Sequence, residues 1–101
     1  MKTEITKELL FNNGFEEREF DPLIIDMYNK ELGIDDYCEL RFKTDDSDPL
    51  HVSMSYKWTN NGANWHMHID NSRHESIGSA DLSYVEHFNM MMEIFGSDFR
   101  L

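Results

Sequence analysis

The stretch of this sequence with the clearest chemical potential is His66-Met67-His68-Ile69-Asp70. Side chains alternate between the two faces of a β-strand, so His66, His68 and Asp70 would project from one face if this stretch is extended. Two imidazoles and a carboxylate form a ligand set that divalent metals such as zinc accept. One hypothesis is therefore a metal- or small-ligand-binding domain that uses these three residues.

The spacing of the three residues weighs against a metal ion. Alternate residues lie about 7 Å apart along a strand, so both rings would have to lean inward. A third ligand such as His51 or His74 would also be needed, and neither an H-E-x-x-H nor a C-x-x-C motif is present. We favour the interpretation in which Trp65, Met67 and Ile69 are buried and the histidines face solvent, and no cofactor is predicted.

Nucleophilic catalysis has little support among the remaining residues. Serines and five histidines are present, but no G-x-S-x-G elbow presents a serine nucleophile. The single cysteine, Cys38, alternates in phase with Leu40 and Phe42, which predicts a core residue rather than a reactive thiol. Gly78 is an isolated glycine and not part of a phosphate-binding loop. We therefore expect that the protein is not an enzyme.

Three strands are expected to position these residues. Polar and apolar residues alternate through 37–43, 51–58 and 64–70, with turn residues between them. Such a pattern predicts an antiparallel meander with one buried and one solvated face. A further short strand is expected around residues 76–78. On the solvated face, pairing would bring together polar residues of all three strands, namely Glu39, Arg41, Ser53, Ser55, His66, His68 and Asp70.

Helices are predicted at both ends of the chain. Thr3 as an N-cap and Asn13-Gly14 as a stop delimit a short helix over about residues 4–12. A stripe of apolar residues at helical spacing predicts a second helix over roughly 81–95. Its start is expected either at a capping box, Ser83-x-x-Glu86, or slightly earlier with Ser79 or Asp81 as the cap. This second helix is the expected cover of the sheet's apolar face.

Two other stretches carry weaker patterns. Residues 15–36 contain a charged segment that fits an edge strand. The apolar run after Pro22 is compatible with either a strand or a helical turn, and we favour extended structure. Residues 98–101 are compatible with a short terminal strand. The predicted fold is a single α+β domain over residues 1–101, in which an antiparallel meander sheet of four to five strands is covered on one face by a C-terminal helix and accompanied by a short N-terminal helix.

Acidic residues dominate the charged side chains. Twenty Asp and Glu against nine Lys and Arg give a net charge of −11, and residues 1–48 hold 14 of the acids with six of the bases. A surface of this sign repels phosphate backbones, so direct binding of nucleic acid or of an anionic membrane is not expected. The excess of acids either serves solubility alone or forms a surface that binds a basic protein.

The sequence also carries signs of an intracellular protein. Its one cysteine can form no intramolecular disulfide, whereas small secreted domains usually contain several. The first residues lack the apolar core of a signal peptide, and no apolar run approaches the roughly 20 residues of a membrane helix. We expect a cytoplasmic protein.

Four short segments give the chain a resemblance to a known group of proteins. They are Ile5-Thr6-Lys7-Glu8-Leu9-Leu10 with Asn13-Gly14-Phe15, Trp65-His66-Met67-His68-Ile69-Asp70-Asn71, Ser76-Ile77-Gly78-Ser79-Ala80-Asp81, and Tyr84-Val85-Glu86-His87. These segments resemble small proteins of unassigned activity that phages and mobile elements of gut bacteria encode. The resemblance implies a small accessory protein that acts inside a bacterial cell, and it supplies no active-site residues.

These observations make an interaction module the first functional hypothesis. The domain would bind, and inhibit or modulate, a basic host protein that handles nucleic acid or takes part in defence. The acidic residues expected to make the contact are Glu16, Glu17, Glu19, Asp21, Asp35, Asp36, Asp45, Asp46 and Asp48. The alternatives are the metal- or ligand-binding domain described above and a structural, self-assembling protein that uses an exposed sheet edge or the first helix. The oligomeric state is left open between monomer and homodimer.

Overall fold

The computed structural model describes residues 2–19, 21–32, 38–56 and 62–101. In these ranges the chain forms a five-stranded antiparallel sheet whose strands lie in sequence order. The strands are β1 (Glu16–Glu17), β2 (Glu39–Lys43), β3 (His51–Tyr56), β4 (Trp65–Asp70) and β5 (Ser76–Leu82). The helices are α1 (Lys7–Asn12), α2 (Pro22–Leu32) and α3 (Val85–Ile94). The predicted α+β plan of a meander sheet with a short N-terminal and a C-terminal helix is confirmed.

The alternation of polar and apolar residues determines how the strands pair. Leu40 lies opposite Met54, and Met54 lies opposite Met67. All three side chains are fully buried, as are Trp65 and Ile69 on the same face of β4. The polar residues between them lie on the other face. A one-residue shift in register would exchange the two faces and expose the apolar residues, so this register is strongly favoured. The predicted buried face is confirmed.

Helix α3 and the residues after it cover this apolar face. Phe88 and Met92 of α3 are fully buried. The Phe99 ring centroid lies 4.3 Å from that of Phe42 and 6.2 Å from that of Phe88. Burial of each such large side chain contributes about 1.5–3 kcal/mol to folding. The cover was predicted, and Ile94 at the end of α3 lies outside the buried stripe, 66% exposed.

An N-terminal segment pairs with the junction between β5 and α3. The Ile5 amide donates to the Ser83 carbonyl at 2.9 Å, and the Val85 amide donates to the Thr3 carbonyl at 2.8 Å. The Trp65 indole also donates to the Ile5 carbonyl, at 3.0 Å. These bonds hold the segment extended against a part of the chain about 80 positions later.

This pairing moves the start of the first helix. Thr3 is not the N-cap that its position suggested, because its backbone bonds to the start of α3. Helix α1 begins at Lys7 instead, and the Thr6 hydroxyl accepts a hydrogen bond from the Leu9 amide at 3.1 Å. The helix ends where predicted, and Gly14 follows with a φ of +93°, which glycine adopts more readily than other residues.

The last helix also starts later than predicted, at Val85 rather than about residue 81, because β5 uses the preceding residues. The expected capping box does not form. The Ser83 hydroxyl accepts a hydrogen bond from the Asn64 amide at 2.9 Å. The Glu86 carboxylate accepts one from the Thr3 amide at 3.0 Å. Both side chains therefore join distant segments rather than cap their own helix.

Residues 15–36 differ most from their prediction. Strand β1 is limited to Glu16–Glu17, and α2 occupies a stretch for which extended structure was expected. Pro22 suits the first position of a helix because no amide donor is needed there. The Asp21 carboxylate accepts a hydrogen bond from the Leu23 amide at 2.9 Å and so caps the helix. The cap at Asp21 and the proline that follows it outweigh the strand preference of the β-branched residues Ile24 and Ile25.

The other predictions concern Cys38, the C-terminal residues and two ranges that the structure does not describe. Cys38 is buried, as expected. Residues 98–101 are described and form no strand, since the Leu101 amide donates to the Asn89 side chain at 2.8 Å instead. Residues 33–37 and 57–61 lie outside the described part of the chain. The predictions for the acidic residues Asp35 and Asp36 and for the end of the strand at Trp58 fall on them.

Candidate functional site

The open face of the sheet gathers the polar residues that the sequence singled out. Two rows cross the strands from β2 to β5, and they consist of Glu39, Ser55, His66 and Asp81 in the first and Arg41, Ser53, His68 and Ser79 in the second. Directly paired residues on one face have neighbouring side chains. The expected proximity of the β2, β3 and β4 side chains is confirmed.

Each histidine on β4 is already engaged with a carboxylate. The Nδ1 atom of His66 lies 2.6 Å from an Asp81 oxygen, and the Nε2 atom of His68 lies 2.9 Å from an Asp70 oxygen. Both rings are partly buried between neighbouring strands. The two imidazoles therefore form two separate pairs along the strand and do not converge on one point.

This arrangement does not favour the metal hypothesis. Among the described residues, no group of three or more His, Cys, Asp or Glu side chains has a geometry that could hold a metal ion. Within the same residues, neither Ser53 nor Ser55 forms a hydrogen bond with the histidine opposite it, so the rows contain no assembled nucleophile. Metal binding by His66, His68 and Asp70 stays a prediction.

The acidic residues of the first half fall into two exposed groups along one side of the sheet. The edge acids are Glu16, Glu17, Glu19 and Asp21, on β1 and the segment that follows it. The loop acids are Asp45, Asp46 and Asp48, between β2 and β3. Because β1 and β2 are antiparallel, the edge acids extend past one end of β2 and the loop acids past the other. The structure therefore divides the predicted acidic surface in two.

Basic residues neutralise only part of the first group. Lys7 contacts Glu17 at 3.1 Å, while Arg18 and Arg41 both contact Glu39 at 3.3 Å. Glu16, Glu19 and all three loop acids form no ion pair with any other described residue. The edge acids and loop acids therefore keep most of their negative charge, which is the property that the interaction hypothesis requires.

Helix α2 exposes apolar side chains that sequence reasoning did not identify. Leu23 is 77% exposed, Ile24 39% and Met27 47%. Residues three and four positions apart lie on the same side of a helix, so these three form one apolar patch, here called the α2 patch. Asp21, the last of the edge acids, caps this helix. The helical spacing of the apolar residues after Pro22 could have indicated this patch. The patch was missed because the run was interpreted as extended.

Comparison with protein-family models, curated proteins and solved structures gives no match for this chain. In the part of the chain that the structure describes, no helix has the length and apolar character needed to cross a membrane.

Proposed function

We propose that this chain is a protein-interaction module that binds a basic protein through the α2 patch and the edge acids beside it. The observation that carries the proposal is the exposure of three large apolar side chains on one side of a short helix, next to acidic residues of which only Glu17 forms an ion pair within the described part of the chain. Exposed apolar patches rimmed by polar residues mark interaction surfaces in soluble proteins.

The patch has the form of a helix that docks in a groove. Such helices bury apolar anchors spaced three and four residues apart, and Leu23, Ile24 and Met27 have this spacing. Full burial of each anchor in a partner would contribute about 1.5–3 kcal/mol. Helix α3 also exposes Met90 and Ile94, but it buries Phe88 and Met92 inside the domain.

The charges around the patch indicate the chemistry of the partner. The net charge of −11 and the edge acids, only partly neutralised by Lys7, favour approach of a positively charged surface and disfavour nucleic acid. Proteins that handle nucleic acid commonly carry such a surface. Together with the resemblance to proteins of phages and mobile elements, this supports a host nucleic-acid-handling or defence protein as the partner, which the module would inhibit or modulate in the bacterial cytoplasm.

The test is capture from bacterial lysate by the wild type and by two matched double variants. Leu23→Ser with Met27→Ser removes two anchors four residues apart on α2. Met90→Ser with Ile94→Ser is the control, because these α3 residues have the same spacing and are 58% and 66% exposed. Only the α2 variant is expected to lose the captured protein, and thermal melts should show all three proteins folded.

Salt and light scattering complete the experiment. Capture should weaken between about 0.05 and 0.5 M salt, because the Debye length falls several-fold over this range. Equal capture by both variants, or capture that is indifferent to salt, would refute the proposal. Light scattering of the purified proteins gives the oligomeric state. If the wild type is a dimer and the α2 variant a monomer, a second copy of the chain covers the patch, and the proposal of a basic partner is wrong.

A further inference from the structure

A second site lies at the end of the sheet where β2 ends and β3 begins. A cavity of about 300 Å³ opens there, beneath the turn that joins β4 to β5. Its charged and titratable lining residues are Glu16, Arg41, Lys43, His51, Asp70 and His74. In a chain with more than twice as many acids as bases, a cavity in which four of six such groups are basic is unusual in composition.

The turn between β4 and β5 places a second histidine over the first. The rings of His51 and His74 are stacked, with centroids 4.2 Å apart and planes 27° from parallel. The Asn71 side chain accepts hydrogen bonds at 3.0 Å from the amides of Arg73 and Glu75 and so shapes the turn. His74 has a φ of +62°, a left-handed conformation that costs a residue other than glycine some strain.

Positive charge dominates the surroundings of the stacked rings. Lys43 pairs directly with His51 across the strands and forms no ion pair with another described residue. Burial, then His74 and Lys43, lower the pKa of His51, and Asp70 opposes them with the smallest effect. The Asp70 carboxylate also serves His68, at 2.9 Å. The two imidazoles and the lysine therefore repel one another when protonated, and a negative ligand would remove that repulsion.

We infer that this cavity binds the phosphate group of a small phosphorylated molecule, held by Lys43, Arg41 and the imidazoles of His51 and His74. An ammonium and a guanidinium form charge-assisted hydrogen bonds to phosphate oxygens, and each protonated imidazole donates from both nitrogens. Arg41 lines the cavity, and it uses its Nε atom for Glu39, at 3.3 Å, so its terminal nitrogens form no ion pair with a described residue. A cavity of about 300 Å³ is at the lower end for small-molecule sites and exceeds a lone phosphate.

Binding is expected to take up protons. Charged and titratable groups line the cavity around His51 from every neighbouring element. They are Arg41 and Lys43 of β2, Asp70 of β4, His74 of the β4–β5 turn and Glu16 of β1. With neutral imidazoles the two acids balance Lys43 and Arg41. Protonation of His51 adds positive charge to the cavity. Burial, His74 and Lys43 lower the pKa of His51, so affinity for an anion is expected to rise as the pH falls below the ordinary histidine range.

The test follows the imidazole signals of all five histidines by NMR during titration with sulfate and with phosphate. Sulfate is the main probe because its charge does not change across the range used. Saturable shifts are expected for His51 and His74 at about pH 5.5, with much weaker binding at about pH 8. The imidazole signals of His66, His68 and His87 should not move, and the monoanion acetate should bind more weakly than the dianion sulfate.

Variants assign the site. Lys43→Ala should weaken sulfate binding about tenfold, as expected for one charge-assisted hydrogen bond. Lys30→Ala, which removes the same charge from exposed α2, is the matched control and should leave affinity unchanged. His74→Asn keeps a residue that tolerates the left-handed conformation, removes one imidazole and should weaken sulfate binding, whereas a pH dependence from His51 should remain. Absence of saturable shifts, equal effects of the two lysine variants, or shifts caused by zinc and not by sulfate would overturn the inference.

Discussion

Gly78 on β5 offers a quantitative test of the packing between the sheet and the C-terminal segment. A Cβ atom at this position would lie 2.3 Å from Cζ and 2.8 Å from Cε2 of Phe95. Ordinary contacts begin near 3.4 Å, so the ring would have to move by about 1 Å. The backbone of Gly78 is not in the left-handed region, so only the missing space resists a side chain.

Two opposing effects determine the expected cost of Gly78→Ala. Overpacking of a core costs about 1–3 kcal/mol. Replacement of a glycine within a strand recovers about 0.5–1 kcal/mol, because the unfolded chain loses freedom. We therefore expect a net destabilisation of about 1–2 kcal/mol. For a domain of this size each 1 kcal/mol lowers the melting temperature by about 4–8 °C.

Urea denaturation of the wild type and four variants tests this reasoning, the variants being Gly78→Ala, Ser79→Ala, Phe95→Leu and the double variant of Gly78 and Phe95. Ser79→Ala changes a neighbour on the exposed side of β5 and should stay within about 0.5 kcal/mol of the wild type. The double variant Gly78→Ala with Phe95→Leu should be more stable than the sum of its single variants predicts, because the smaller side chain makes room for the methyl group. Stability of Gly78→Ala equal to or above that of the wild type would refute the argument, and so would strict additivity of the pair.

Three further predictions concern the bonds of the N-terminal segment and α1. Thr6→Ala should lower the free energy of unfolding by about 1 kcal/mol in urea titrations, because the cap of α1 is lost; no change would mean that the cap is replaced. Trp65→Phe should cost about 1–3 kcal/mol by the same assay, because the buried carbonyl of Ile5 loses its donor; a loss confined to a few tenths would contradict this. The Thr3 amide lowers the pKa of Glu86 below its ordinary value, so this group stabilises the fold above about pH 4.5 and the benefit is lost as the pH falls. Glu86→Gln should flatten the acid side of the stability–pH curve, and an unchanged curve would show that the bond is absent in solution.

The sheet was predictable because its signal is local. Alternation of apolar residues in the segments around Met54 and Met67 was sufficient to infer strands, their buried face and their mutual neighbours. The helix starts were not predictable from local signals. Thr3 and Ser83 have the composition of caps, yet their partners are residues far away in the sequence, and no local pattern encodes such pairing.

The candidate sites were predictable only in part. The row of side chains around His66 follows from strand alternation, and the structure confirms that row. The α2 patch was missed because β-branched residues such as Ile24 and Ile25 favour strands, whereas Asp21 and Pro22 start a helix. The cavity at His51 depends on strand register together with the left-handed conformation of His74, and neither is visible in the residue types.

The pairing of the N-terminal segment with the β5–α3 junction has a consequence for the order in which this protein folds. Synthesis proceeds from the N-terminus, but Ile5 has no backbone partner until Ser83 has left the ribosome. Contacts of such large sequence separation form late and slow the final step of folding. Helix α1 is also too short to be stable alone. The residues around Ile5 are synthesised before the strands of the sheet, yet they are expected to be among the last to reach their native positions.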